Sequence, residues 1–384
     1  MRLTKYLISI GLLLLLGLTA FSQPICGFDI VHKRKMLADP VYRQHVLANE
    51  ESIRSYILKN PVSKQLPGRN PATLSQPNSN PSSTILSGPP YTIPVVVHVI
   101  HTGGAIGTIY NPTDAQIIGA IAYLNAVYNG TEAGTQGVGD LQLQFVLAQR
   151  DPNCNPTNGI NRVDGSGVAG YASGGVQANQ TIVGTQDINI KNLSRWDPTQ
   201  YYNIWIVDKI DGADGTGSGS FIAGFAFFPG SPALEDGIVM LATQMIDRQK
   251  TLPHEMGHAF NLYHPFQSTD PNNATCAANT SCSTQGDMIC DTDPVTEPIN
   301  FVCRTGANNP CTSTPYTINT ENNYMNYTFC YSLFTADQKT RMLASASVSP
   351  RASLTTSLGG TPPGGASPCS PKIDFELTGD QQTE

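Results

Sequence analysis

The sequence predicts an α/β (α+β) fold, and three observations carry that prediction. β-Branched apolar runs alternate with an amphipathic helical segment between residues 91 and 250. A helix bearing the run HEMGHAFNLYHPF, His254 to Phe266, follows them, and six of the nine cysteines fall in the irregular stretch beyond it. With 384 residues, 40% of them hydrophobic, the chain can bury one sizeable core with short appended segments. Charged residues make up only 13% and the formal net charge is -7, so the basic surface needed to bind phosphate backbones is missing and nucleic acid is not an expected partner.

Residues 1–22 read as a signal peptide: Arg2 and Lys5 precede an apolar run from Tyr6 to Leu18, and small residues lead to a cleavage point after Ser22. The run is too short for a comfortable membrane span, so no stable span is expected in the mature chain. Residues 23–60 form an expected helical prosegment. Within it, residues 29–59 carry helix formers and the cations Lys33, Arg34, Lys35, Arg43, Arg54 and Lys59. Residues 61–90, rich in Pro, Ser and Asn without apolar periodicity, read as a linker.

Residues 91–348 read as the folded domain. Thr92–Thr102 is β-branched and apolar enough for a buried strand. Thr113–Gly130 opens on a capping residue and sets Ile117, Ile121, Leu124 and Tyr128 on one helical face. Asp140–Asp151 alternates as a half-exposed strand, and Tyr201–Ile210 and Gly237–Met245 supply two more. Beyond Pro265 the chain is irregular until Thr335 and Gln338, whose capping-box spacing starts a helix near Ala336. Residues 349–384 read as a Pro/Gly linker and the start of an immunoglobulin- or PKD-like module, as expected of a fragment of a longer precursor.

On a helix, His254 and His258 lie about 40° apart in azimuth and roughly 6 Å apart in rise, so both imidazoles can reach one ion. Glu255 sits about 100° round from His254, badly placed as a ligand but near enough to reach a water on the metal, the position of a general base. If the helix continued, His264 would lie roughly 9 Å beyond His258, whereas Zn–N bonds are about 2.0–2.1 Å. The chain must turn between them. Asn261, the best non-glycine residue for positive φ, is the expected break, and Pro265 keeps the helix from resuming. His32, His45, His98 and His101 are isolated and read as structural.

Cys276, Cys282, Cys290, Cys303, Cys311 and Cys330 read as staples of a loop-rich region in an oxidising compartment, with 15 connectivities open. An odd total leaves at least one thiol unpaired or paired outside the chain. Cys26, followed by Gly27 in the expected prosegment, has three open readings: a latency thiolate on the metal, a structural disulfide, or an incidental free thiol.

HEMGHAFNLYH resembles the metzincin motif HExxHxxGxxH. Asn323–Met342 resembles the Met-turn and following helix of the pappalysin-type (cytophagalysin-like) metzincins, and Gly286–Pro294 is similar to a loop between those elements. The resemblance implies a two-subdomain zinc protease: a mixed twisted sheet with the active-site helix above an irregular, disulfide-bearing lower subdomain, acting on protein or peptide substrates. Carried over residue by residue, His254, His258 and His264 bind Zn2+, Glu255 is the general base for a zinc-activated water, Tyr327 assists, and Met325 underlies the site. Asp287, Asp291 and Thr292 match a loop that binds Ca2+ in some relatives, with a solvated turn as the other reading.

Three departures stand out. Asn261 replaces the motif glycine, Asn326 stands where relatives often have Asp, and the segment after Tyr327 lacks the acidic pair of arginine-cleaving relatives, so a basic preference is not carried over. The expectation is a secreted zymogen, with cell-surface association through the C-terminal module as an option. Two rivals are a retired metzincin fold acting as an adhesion protein and a zinc hydrolase of a non-protein amide. The presence of Glu255 and all three histidines argues against the first, and a peptide digest separates the second.

Overall fold

The computed structural model describes residues 23–60 and 90–364 apart from Thr181, Asp247 and Pro271. The expected signal peptide, linker residues 61–89 and residues 365–384 lie outside the described residues.

Seven strands form one mixed sheet: β1 (Gln23–Cys26), β2 (Tyr91–His101), β3 (Leu143–Leu147), β4 (Ile160–Asp164), β5 (Tyr202–Val207), β6 (Ser220–Ala226) and β7 (Ile238–Leu241). The principal helices are α1 (Phe28–Ala38), α2 (Pro40–Lys59), α3 (Asp114–Tyr128), α4 (Thr251–Ala259) and α5 (Ala336–Ala346). Across the sheet the order is β1-β6-β7-β5-β2-β3. The long strand β2 serves two neighbours on that last edge, β3 along Tyr91–Val95 and β4 along Val97–His101, both parallel. β6 runs antiparallel to β7, and β1 is parallel to β6.

β2 reads as a nearly continuous apolar run because both of its faces are covered. Val95, Val97 and Val99, with Ile204, Ile206 and Met240, share a core with α3, α4 and α5; Ile100, Trp205, Val207 and Leu241 face a second core that includes Phe28 and Val31 of α1 and Tyr42 and Val46 of α2. α3 and α5 both start with complete capping boxes, Thr113 with Gln116 and Thr335 with Gln338, so two otherwise orphaned amides at each start are satisfied locally. Asp39 caps α2 through the amides of Val41 and Tyr42, with Pro40 in the first turn.

Three strands were not expected, β1 among them, since residues 23–60 read as helical. β4 is short, and β6 lies in the glycine-rich run GTGSGSFIAGFAFFPG, whose composition reads as loop. It becomes a strand because β7 and β1 pair with its two edges. The expected strand over Asp140–Asp151 shrinks to Leu143–Leu147.

The expected linker from residue 349 is corrected through residue 364. Arg351 is buried, pairs with Asp236 (Nη2–Oδ1 2.8 Å) and donates from Nε to the Ala259 carbonyl at the end of α4 (2.8 Å). Leu354 enters the main core, and the Gly359 and Thr361 carbonyls accept from the Gln149 amide and Arg150 Nε. Composition marked this stretch as spacer, but one buried ion pair and these ladder-like contacts dock it on the domain.

The irregular half after α4 is stapled by Cys276–Cys311, Cys282–Cys290 and Cys303–Cys330. Cys154 is also disulfide-bonded, while Cys26 is free and buried. Among the described residues no helix is long and apolar enough to cross a membrane.

Candidate metal centre

α4 ends as a Schellman motif. The Leu262 amide donates to the Gly257 carbonyl (2.9 Å), the Asn261 amide donates to that of His258 (2.9 Å), and Asn261 has φ 74°. The turn brings His264 back over the helix. His264 Nε2 lies 3.2 Å from His254 Nε2 and 3.1 Å from His258 Nε2. Arg341 Nε donates to the Asn261 carbonyl (2.8 Å) and holds the turn from α5.

The far side of each ring decides what those three nitrogens are. His254 Nδ1 donates to the Tyr324 carbonyl (2.7 Å) and His258 Nδ1 to the Leu262 carbonyl (2.6 Å), which leaves their Nε2 atoms with bare lone pairs. His264 Nδ1 faces Asp29 Oδ2 at 3.3 Å, so the same tautomer is favoured there. Burial keeps His254 and His258 far below the usual histidine range, and hence neutral. Three lone pairs aimed at one point repel unless a cation lies between them.

Cys26 Sγ completes the set, 3.5 Å from His258 Nε2, and the four ligand atoms lie within 4.8 Å of one another. A tetrahedral zinc with Zn–N of about 2.0–2.1 Å and Zn–S of about 2.3 Å calls for N···N of about 3.3 Å and S···N of about 3.5 Å, so the donor set fits that ion. Burial, with the Glu255 charge, pushes the Cys26 thiol well up, a shift that a cation at the shared point would reverse. This is the one such group of three or more His, Cys, Asp or Glu among the described residues.

The other expected residues surround this point. Glu255 is buried, and neither carboxylate oxygen has a hydrogen-bond partner of normal geometry. Burial raises its pKa to about 8, against the pull of the Cys26 thiol and the Ala226 amide. Tyr327 donates its hydroxyl to the Cys26 carbonyl (2.9 Å), and its ring lies 4.9 Å from that of His264. Met325 is fully buried beneath α4. A Cβ built on Gly257 would meet its sulfur at 2.3 Å, so a larger residue there would push the Met325 side chain aside.

Thr292 donates to Asp287 (2.7 Å), while Asp291 accepts from the Asp337 amide (3.0 Å). Burial raises Asp287 to about 7. Of the histidines read as structural, His98 bonds Asn203 and Asn161, and His32 bonds the Tyr42 hydroxyl.

Three site residues were missed. Asp29 and Phe28 follow Cys26 directly; Asp29 faces His264, and Phe28 stacks on His258 with ring centroids 4.0 Å apart. The sequence CGFD was a usable signal, because residues next to a metal-directed cysteine must pass close to the other ligands. Lys250, one turn before His254, donates to the carbonyls of Asn326 (3.1 Å) and Thr328 (3.0 Å) beneath the Tyr331 ring. Nothing in its local sequence distinguishes it from a surface lysine.

Asn261 supports a direct test. Asn261→Gly is expected to retain stability within about 1 kcal/mol, since glycine meets no penalty at this φ and removes a buried amide whose nitrogen and oxygen are both unpartnered. Asn261→Val is expected to lose about 1–2 kcal/mol to left-handed strain alone and to bind zinc more weakly with all three histidines intact. Equal zinc affinities of the two variants by calorimetric titration would show that the turn does not control His264.

Residues 184–347 match the peptidase family described as pregnancy-associated plasma protein-A. An extracellular metalloprotease of Neurospora crassa is 38% identical over 94 residues, 24% of this chain and 28% of that protein, so this match spans well under half of the relative's own length. Among solved structures, a promirolysin mutant of Tannerella forsythia superposes with a TM-score of 0.57 at 25% identity, covering 86% of this chain and 96% of its own. Mature mirolysin of the same organism, in complex with a cleaved peptide, gives 0.52 at 29%, covering 69% and 95%.

Proposed function

Because this chain is a pappalysin-type metzincin, we propose that it is a secreted zinc metalloendopeptidase whose residues 23–60 hold it latent. One observation carries the reading: three histidine Nε2 atoms with bare lone pairs converge, and Cys26 Sγ closes the fourth side. His254, His258 and His264 would hold the zinc, and Cys26 would take the position that a catalytic site leaves open to water.

The chemistry supplied by zinc when bound is Lewis acidity, which makes water a nucleophile near neutral pH and polarises a peptide carbonyl. Glu255, with both oxygens uncommitted, takes the proton of the attacking water and delivers it to the leaving nitrogen. Tyr327 donates to the oxygen on which negative charge develops. In the latent chain that hydroxyl is held by the Cys26 carbonyl, a peptide carbonyl standing where the substrate's would be. With β1 gone, β6 becomes the sheet edge, and an extended substrate can add to it through main-chain hydrogen bonds.

Latency has more than one support. β1 occupies the edge of β6, the Gly27 amide reaches the Gly224 carbonyl (2.7 Å), Asp29 engages His264, and Glu50 of α2 pairs with Arg341 Nη2 at 2.7 Å. The promirolysin mutant also covers more of this chain than the mature form does, which favours an N-terminal prosegment. Export is supported by the three disulfides and by a relative named as extracellular. The proposed hydrolysis itself uses only the zinc.

The test is a digest of a proteome-derived peptide library by the processed, zinc-loaded enzyme. Internal peptide bonds should be cut, and a zinc chelator should abolish cutting. Intact peptides in both samples would sink the proposal.

A further inference from the structure

Resting on the protease reading, we propose that Lys250 is a specificity-determining residue that selects an acidic side chain in the substrate residue immediately after the cleaved bond. Lys250 lines the same small cavity, about 20 Å³, as Ile25, Cys26, Glu255 and Tyr327, and so borders the reacting centre. Two of its three ammonium hydrogens go to the Asn326 and Thr328 carbonyls, which fix the amine against the segment that follows Met325. No carboxylate among the described residues pairs with it, and burial lowers its pKa to about 7. A carboxylate brought beside this amine favours its charged form and accepts a hydrogen bond from it, whereas a cation is opposed.

The direction of the strands gives the subsite. β1 is parallel to β6 and places Pro24 and Ile25, N-terminal to Cys26, beside Lys250. A substrate that adds to β6 in the more stable antiparallel sense runs the opposite way, so the part of it beside Lys250 lies after the scissile bond. The residues behind Tyr327, namely Thr328, Phe329, Cys330, Tyr331 and Ser332, contribute no acidic group that would favour a basic side chain there.

The experiment compares processed, zinc-loaded wild type with Lys250→Gln and Lys250→Glu, each checked for bound zinc and melting temperature. The peptide library is joined by matched peptides that differ only in Glu, Gln or Lys after the cut. Wild type should enrich Asp and Glu at that position, with kcat/KM for the Glu peptide about tenfold or more above the Gln peptide, the scale of one charge-assisted hydrogen bond. The ratio should fall to near one in Lys250→Gln and turn toward Lys and Arg in Lys250→Glu. If the Glu variant does not fold, Lys250→Met, which keeps the packed stem, takes its place and should lose the preference.

Chelator-sensitive cleavage without an acidic preference, or with a preference unchanged by substitution, would overturn the role of Lys250 and leave the protease reading standing. Absence of cleavage by zinc-loaded wild type would overturn both.

Discussion

Glu255→Gln is expected to leave a folded, zinc-binding protein whose kcat on peptides falls by about 10²- to 10⁴-fold, the usual contribution of a positioned acid–base group. Gln preserves the volume and cannot take the proton of the attacking water. Folding should survive because neither buried carboxylate oxygen has a hydrogen-bond partner of normal geometry, and burial outweighs the weak pull of the Cys26 thiol and the Ala226 amide. The sign is consistent: burial raises the Glu255 pKa to about 8, so ionising it costs native stability as pH rises, a cost the neutral isostere lacks. The measurement pairs kcat on a peptide substrate with bound zinc by elemental analysis. Retained kcat with a full zinc complement would remove Glu255 from the mechanism.

The second large effect belongs to Cys26. An uncleaved Cys26→Ala precursor, with its integrity checked by intact mass, is expected to hydrolyse peptide at least about tenfold faster than the uncleaved wild type, the equivalent of one charge-assisted contact. It should remain slower than the processed enzyme. The β1–β6 pairing, the Phe28 stack on His258 and the Glu50–Arg341 pair all stay, so the segment must still lift away before substrate can lie on β6. Equal rates for the two uncleaved precursors would mean that the thiol does not govern latency and that the strand alone blocks the cleft.

Much of this was legible in one dimension because the responsible physics is local. Capping boxes at Thr113 and Thr335 announce their helices, since the bonds that define them span three residues. The HEMGH spacing puts two imidazoles on one helical face by the pitch alone. The need for positive φ at Asn261 followed from the distance the third histidine must recover, and the backbone there has φ 74°. β6 was illegible for the opposite reason: its strand character comes from neighbours distant in sequence, and its own glycines argue against it. Residues 349–364 were read as a spacer because composition cannot register that Arg351 finds Asp236 and the end of α4.

The sequence by itself determined the metal-binding chemistry: three histidines at ligand spacing, a carboxylate beside them and a residue able to turn the chain. It could do so because those groups lie within eleven consecutive residues, where covalent geometry limits their relative positions. Only the tertiary structure decided what fills and borders the site. Cys26 meets His258 across 232 positions, and Lys250 acquires its acceptors 76 and 78 positions away. Contacts at those separations depend on how the sheet and helices pack, which no local pattern encodes.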